Sequence, residues 1–238
     1  MRYTLFFLIA FGQTTLYSQS ISSEAVLQKA IDFHDPNGNW KTFNNAFTVE
    51  MTTPNASKRT SNISINLPAQ YFKVEATRDT VTTVYEVYKD KCSMTYNSVV
   101  LDSAMAKSKN MSCERAEMYK NYYTYLYGLP MKLEDPGTDI NYPVEKRVFK
   151  GKTYLVLKVT YTEAVGSDVW YFYFDPKSYE MQVYQFFKTD DRGNLISDSG
   201  EYILLTGSEE ISNIKMPKIR AWYYNKDDKY LGTDTLLK

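Results

Sequence analysis

Histidine is nearly missing from this 238-residue chain, with His34 the only one, and cysteine is limited to Cys92 and Cys113. So few ligands, so far apart, cannot assemble the usual zinc sets, and no metal site is expected. Asp190-Asp191-Arg192-Gly193-Asn194 offers some oxygen donors. It lacks the spaced ligands and closing glutamate of a calcium loop, and its glycine and asparagine read as a hairpin turn. Gly-rich phosphate loops, nucleophile elbows and paired-cysteine redox motifs are absent too, so no cofactor is expected. No charge of either sign is in excess, with 28 Lys+Arg against 28 Asp+Glu. No long basic run marks a phosphate-backbone footprint, which excludes nucleic acid as a partner. Long apolar runs are missing as well. The run Tyr3–Phe11 is about half of the ~20 residues a spanning helix needs, so the chain is not expected to cross a membrane.

That run has another reading. Arg2 precedes it, and the polar stretch Gly12–Ser20 ends in small residues. Residues 1–20 therefore read as a secretory signal peptide, with cleavage after Ser18 or Ser20. A retained anchor is the alternative, and the short run argues against it. No cysteine stands near the cleavage point to take a lipid. Residues 21–238 are then a single β-rich domain exported to the periplasm, or secreted. In an oxidising compartment Cys92 and Cys113 can pair, although their spacing alone leaves a disulfide and two free thiols equally open.

Tyrosine is what the chain has in abundance, at 22 residues, and aromatics reach 16%. That bias suits strands and half-wet surfaces, and it is the opposite of disorder. A short helix opens the domain. Ser22 or Ser23 caps it, Glu24 faces the dipole, and Val26, Leu27, Ala30, Ile31 and His34 share a stripe. Asp35-Pro36-Asn37-Gly38 turns the chain. The period then switches to two through Phe47–Met51, Ile63–Leu67, Phe72–Ala76, Val81–Val87 and Cys92–Tyr96, which predicts an antiparallel meander. A second helix is predicted from Cys113 to Tyr127. Ser112 is its N-cap, and Gly128-Leu129-Pro130 forms a Schellman-type stop. Strands resume at Val144–Phe149, Tyr154–Tyr161, Asp168–Phe174, Tyr179–Lys188, Glu201–Thr206, Lys218–Asn225 and the C-terminal tail. Asp168–Phe174 is apolar on both faces and should be a covered central strand. The sum is a mainly β (α+β) fold: one antiparallel sheet long enough to curl into a half-barrel.

The second helix is aromatic almost all round. Ala116, Tyr119, Tyr123 and Leu126 make one stripe, and Met118, Tyr122 and Tyr125 another. A helix of that kind does not lie on a surface with one face wet. It is expected in the concave face of the sheet, touching walls on several sides. The candidate ligand site follows from it. Tyr119, Tyr122, Tyr123, Leu126, Leu129 and Met131, with Trp40, would line the body of an apolar ligand, and Arg115 or Lys132 would meet a charged head. The competing reading makes these side chains plain core. His34 with Asp35 is a weak catalytic candidate, because neighbours at a helix end do not face each other and no nucleophile is placed beside them.

Three stretches taken together, His34–Trp40, Tyr123–Leu133 and Trp170–Ser178, resemble an uncharacterised family of exported proteins from Bacteroidota. The resemblance runs from Val26 to near the end, and Gly128-Leu129-Pro130 is its most specific part. It implies a fold similar to the lipoprotein carriers LolA and LolB, a curved antiparallel half-barrel with helices plugging the concave face. No position here matches the carriers' lipid-binding arginine or exposed leucine. The function expected is a soluble periplasmic protein binding a lipid, acyl chain or lipoprotein segment. The rivals are an envelope hydrolase using His34 or a carboxylate pair, and a structural protein that binds an envelope partner through its tyrosines.

Overall fold

The computed structural model describes residues 21–238, and the expected signal peptide with its two cleavage points lies outside them. Two meanders build the sheet. The first contains β1 (Asn44–Thr53), β2 (Ala56–Asn66), β3 (Tyr71–Arg78), β4 (Val81–Tyr88), β5 (Lys91–Tyr96) and β6 (Val99–Val100). The second contains β7 (Thr138–Asp139), β8 (Glu145–Phe149), β9 (Lys152–Tyr161), β10 (Val169–Phe174), β11 (Met181–Phe187), β12 (Glu201–Ile211), β13 (Ile214–Tyr224) and β14 (Tyr230–Leu237). Helix α1 (Ser23–His34) precedes the first meander, and α2 (Ser103–Ser108) and α3 (Cys113–Gly128) cross between the two.

Pairing between sequence neighbours carries almost the whole sheet, whose order is β6-β5-β4-β3-β2-β1-β14-β13-β12-β11-β10-β9-β7. The exceptions are β7 against β9 and β1 against β14, the latter fusing the two meanders into one sheet at its centre. Strands β7 and β8 share the outer side of β9. Helix α3 reveals the curvature. Tyr119 on α3 packs 5.2 Å from Tyr85 on β4, while Tyr125 packs 6.3 Å from Tyr161 on β9, near the opposite edge. One helix reaches both flanks only because the open sheet bends round it.

Alternation decides which side chains meet the helix. The register aligns Phe47 with Ile63, Ile63 with Val74, and Val49 with Leu236, all buried on the inner face. On the other flank Phe172 faces Tyr184 and Leu157 across neighbouring strands. The strand expected to be covered and central is β10; it is apolar on both sides but stands third from the β7 edge, because the two meanders meet at β1 and β14. Its outer-face Tyr173 is covered by Phe149 of β8, with ring centroids 5.3 Å apart.

The first helix forms as its caps dictate. Ser22 Oγ accepts the Ala25 N–H at 3.2 Å, and Val26, Leu27, Ala30, Ile31 and His34 are all buried. Helix α3 starts at the expected cap, Ser112, whose Oγ accepts the Arg115 N–H. Its end differs from the expected Schellman stop. Leu129 is extended, with φ −71° and ψ 142°, and Gly128 is needed for space, since a Cβ there would strike the Trp40 indole and Lys132. Cys92 on β5 and Cys113 at the start of α3 form a disulfide, with Cα atoms 5.8 Å apart. It staples the helix to the first meander. Two features lay beyond the sequence pattern. Helix α2 is a six-residue element held by an Asp102 cap and has too few residues to show a period. Strands β12 and β13 continue to Ile211 and back from Ile214, through polar residues whose alternation is invisible to a hydropathy reading.

Candidate functional site

The inner face divides along α3. Toward the first meander the helix is packed solid: Tyr127 lies 4.7 Å from Phe47, and Tyr123 lies 6.2 Å from Phe72. Toward the second meander there is space. A groove of about 520 Å³ runs between α3 and the β7–β9–β10 flank, walled by Tyr122, Tyr125, Tyr161, Val165 and Trp170. Tyr125 and Trp170 meet edge to face at 5.7 Å, and the Tyr125 and Tyr161 hydroxyls share a short hydrogen bond. Burial raises both of those phenols' pKa values above the ordinary tyrosine range. Polar groups line it too: Asn121, Thr124 and Thr138, Lys132 ion-paired with Asp135, and Asp168, whose carboxyl burial pushes up against the pull of Lys188.

Beyond Tyr122 lies a second hollow of about 240 Å³, over β1, β12, β13 and β14. Tyr122 therefore stands between the two spaces and lines both. Its ring is 39% exposed and stacks on Trp222 at 6.4 Å and 20°. Trp222 Nε1 donates to Asp234 at 3.2 Å, which fixes the indole. Burial raises the Asp234 carboxyl, with Arg220 and Arg59 opposing, and it raises the Glu201 carboxyl, with Lys188 opposing.

Beneath the helix, Arg220 is 1% exposed. Its guanidinium donates to the Pro217 carbonyl at 2.9 Å and to the Leu126 carbonyl at 3.4 Å, and lies 4.0 Å over the Tyr127 ring. A cation at the carbonyl end of α3 complements the helix dipole. The register sets Arg220 opposite Asp234, so the buried cation is balanced across β13 and β14. Sequence reading passed over Arg220. A cation at an inward position of an otherwise apolar strand was the available signal.

The structure sorts the sequence-derived candidates. Tyr122 and Lys132 line the large groove. Tyr123, Leu126 and Leu129 are packed core, Tyr123 against Phe72 of the first meander. Tyr119 is half-buried on Tyr85, and Arg115 is half-buried near the helix start, away from both hollows. Trp40 and Met131 are buried in the core and border a separate hollow of about 380 Å³ beside the end of α1. Tyr125, Tyr161, Trp170 and Trp222 complete the walls. Three of them lie on strands, and no spacing rule links them to the helix.

His34 and Asp35 have structural roles. The Asp35 carboxylate accepts the Asn39 and Trp40 N–H groups, each at 2.8 Å, and so seats Trp40 against Gly128. His34 is 2% exposed. Its Nδ1 lies 2.7 Å from the Lys215 carbonyl, and its Nε2 accepts the Met181 N–H at 3.0 Å. A carbonyl only accepts, so the proton sits on Nδ1 and both nitrogens are used. Burial lowers the imidazole pKa. Among the described residues, no cluster of three or more His, Cys, Asp and Glu could hold a metal ion, and no helix is long and apolar enough to cross a membrane.

This architecture, an open antiparallel sheet bent round an aromatic helix, has a counterpart among solved structures. A LolA superfamily protein from Nitrosomonas europaea superposes with a TM-score of 0.53 at 9% identity, covering 92% of this chain and 93% of its own. A DUF1329 family protein from Desulfovibrio piger is similar at TM-score 0.46 and 8% identity, covering 90% of each chain. The chain belongs to DUF6503, a family of unknown function whose model matches residues 2–238. No curated protein matches it.

Proposed function

We propose that the protein is an exported periplasmic binding protein that shelters the apolar part of a lipid or acylated molecule in the groove between α3 and the second meander. The carrying observation is unfilled, aromatic-walled space beside a helix whose other side is fully packed. Its lining combines aromatic rings and small apolar groups with several polar side chains, the mixture by which a pocket holds and orients a ligand. The LolA-like fold supports the reading by analogy of shape alone. Export is the reading of residues 1–20, and the disulfide suits an oxidising compartment.

The test is titration of the neutral apolar dye N-phenyl-1-naphthylamine, followed by dye fluorescence, together with native mass spectrometry of the protein isolated from its own host. Saturable one-to-one binding, weakened about tenfold by Trp170→Ala, is the expected result. Absence of saturable dye binding and of any co-purifying lipid would overturn it.

A further inference from the structure

The smaller hollow has a chemistry of its own. Its charged lining residues are Glu201 and Asp234, with no lysine or arginine among its walls. Its aromatic wall is the parallel pair Tyr122 and Trp222. Met51 and Leu231 supply apolar surface. Among the described residues Glu201 makes no side-chain hydrogen bond or ion pair, and Lys188, which acts on it from a distance, lines a different hollow. Asp234 is 6% exposed, and its one hydrogen bond is from Trp222. Beside that indole, at 6.2 Å, lies the buried Tyr184. An unpartnered carboxylate, Glu201, beside two aromatic faces suits a quaternary or primary ammonium group, and Asp234, which also faces Arg220, adds negative charge to the same wall. Ring faces attract a cation, and the half-buried Glu201 carboxylate gains a partner when one arrives.

We infer that the ligand of the groove is a cationic amphiphile, with its ammonium head between Glu201, Asp234 and the Tyr122–Trp222 pair and its apolar chain passing Tyr122 into the larger groove. The inference rests on the proposed function and narrows it to one head-group class. It also moves the head away from Arg115 and Lys132, which would have favoured an anion. Lys132 is occupied by Asp135, and Arg115 borders neither hollow.

The experiment is calorimetric titration of the full disulfide-bonded chain with submicellar dodecyltrimethylammonium, dodecanoate and monolauroylglycerol, and with tetramethylammonium lacking a tail. Dodecyltrimethylammonium should bind at least tenfold more tightly than the anionic or neutral probe, and tetramethylammonium at least a hundredfold more weakly than its long-chain counterpart. Glu201→Gln should reduce the preference for the cation about fivefold and leave monolauroylglycerol unchanged. Trp222→Leu, a second variant that keeps the carboxylates, should reduce it similarly. Equal affinity for the three long-chain probes, or preference for dodecanoate, would overturn the inference while the groove's apolar function stands. Tight binding of tetramethylammonium alone would overturn the two-cavity placement. Binding of no long-chain probe would overturn both readings.

Discussion

The two flanks of α3 carry nearly the same side chains and do opposite things. On the first-meander side, Tyr119, Tyr123 and Tyr127 close against Tyr85, Phe72 and Phe47. On the second-meander side, Tyr122 and Tyr125 stand opposite Trp222, Tyr161 and Trp170, and space remains between helix and wall. Composition is therefore a poor guide to which aromatic is core and which is lining. The disulfide lies on the packed flank, where it ties the helix start to β5.

The sharpest way to break this contrast is to cut into the packed flank. Phe47→Ala removes a buried ring under Tyr127 and should cost about 3–5 kcal/mol, read as a lower urea midpoint. A loss near 1 kcal/mol would mean that the first flank is as loose as the second. Next in size is the staple. Cys92→Ser with Cys113→Ser opens a loop with a sequence separation of 21 and should cost about 3 kcal/mol in the chain-entropy account. The double variant should also expose α3 amides to hydrogen exchange before those of the sheet. Uniform exchange through helix and sheet would show that packing alone, without the staple, chooses the flank.

A smaller effect tests α1, which is pinned across β11 and β13 through His34. Burial lowers this imidazole's pKa in the folded state, whereas the unfolded chain protonates it near the ordinary value of about 6.5. The stabilising contribution is therefore complete above about pH 6.5 and declines as pH falls below it, because the unfolded chain takes the proton first. The slope from this group is at most about 1.4 kcal/mol per pH unit. Chemical denaturation between pH 7 and pH 5 reads it, and His34→Gln, which can still donate to Lys215 and accept from Met181, should flatten that part of the profile. An unchanged slope in the variant would place the acid sensitivity elsewhere.

These residues also mark how far the sequence could be read. Periodicity located α1, α3 and the strand runs, because burying one face imposes a period of 3.6 or 2 on apolar residues. The all-round aromatic pattern of α3 placed it in the concave face. Which flank stays open depends on where the sheet bends and on what faces the helix across it, and neither leaves a local trace. Tyr123, Leu126 and Leu129 have the composition of a lining and are core. Tyr161, Trp170 and Trp222 were passed over because their meaning arises only when strands far apart in sequence close round one helix. Arg220 is similar. Its carbonyl partner on α3 and its Asp234 neighbour on β14 come from separate elements. The His34–Trp40 stretch looked chemical because Asp35 beside a lone histidine resembles an acid–base pair, whereas each group holds the backbone of a different partner.

The smallest stability effect carries the most about function. Tyr122 faces open space on both sides and loses only its stacking on Trp222 and its contact with Tyr123 when truncated. Tyr122→Ala should therefore lower stability by only about 1 kcal/mol, the scale of one aromatic pair. Its removal merges the two hollows and takes away the shared wall, so affinity for N-phenyl-1-naphthylamine should fall about tenfold, a loss of about 1.4 kcal/mol in binding. A stability loss as large as that of Phe47→Ala would make Tyr122 a core residue and erase the difference between the flanks. A small stability loss with dye affinity unchanged would leave the flanks different while removing Tyr122 from the ligand's path, since a side chain standing between both hollows cannot be deleted without altering what they hold.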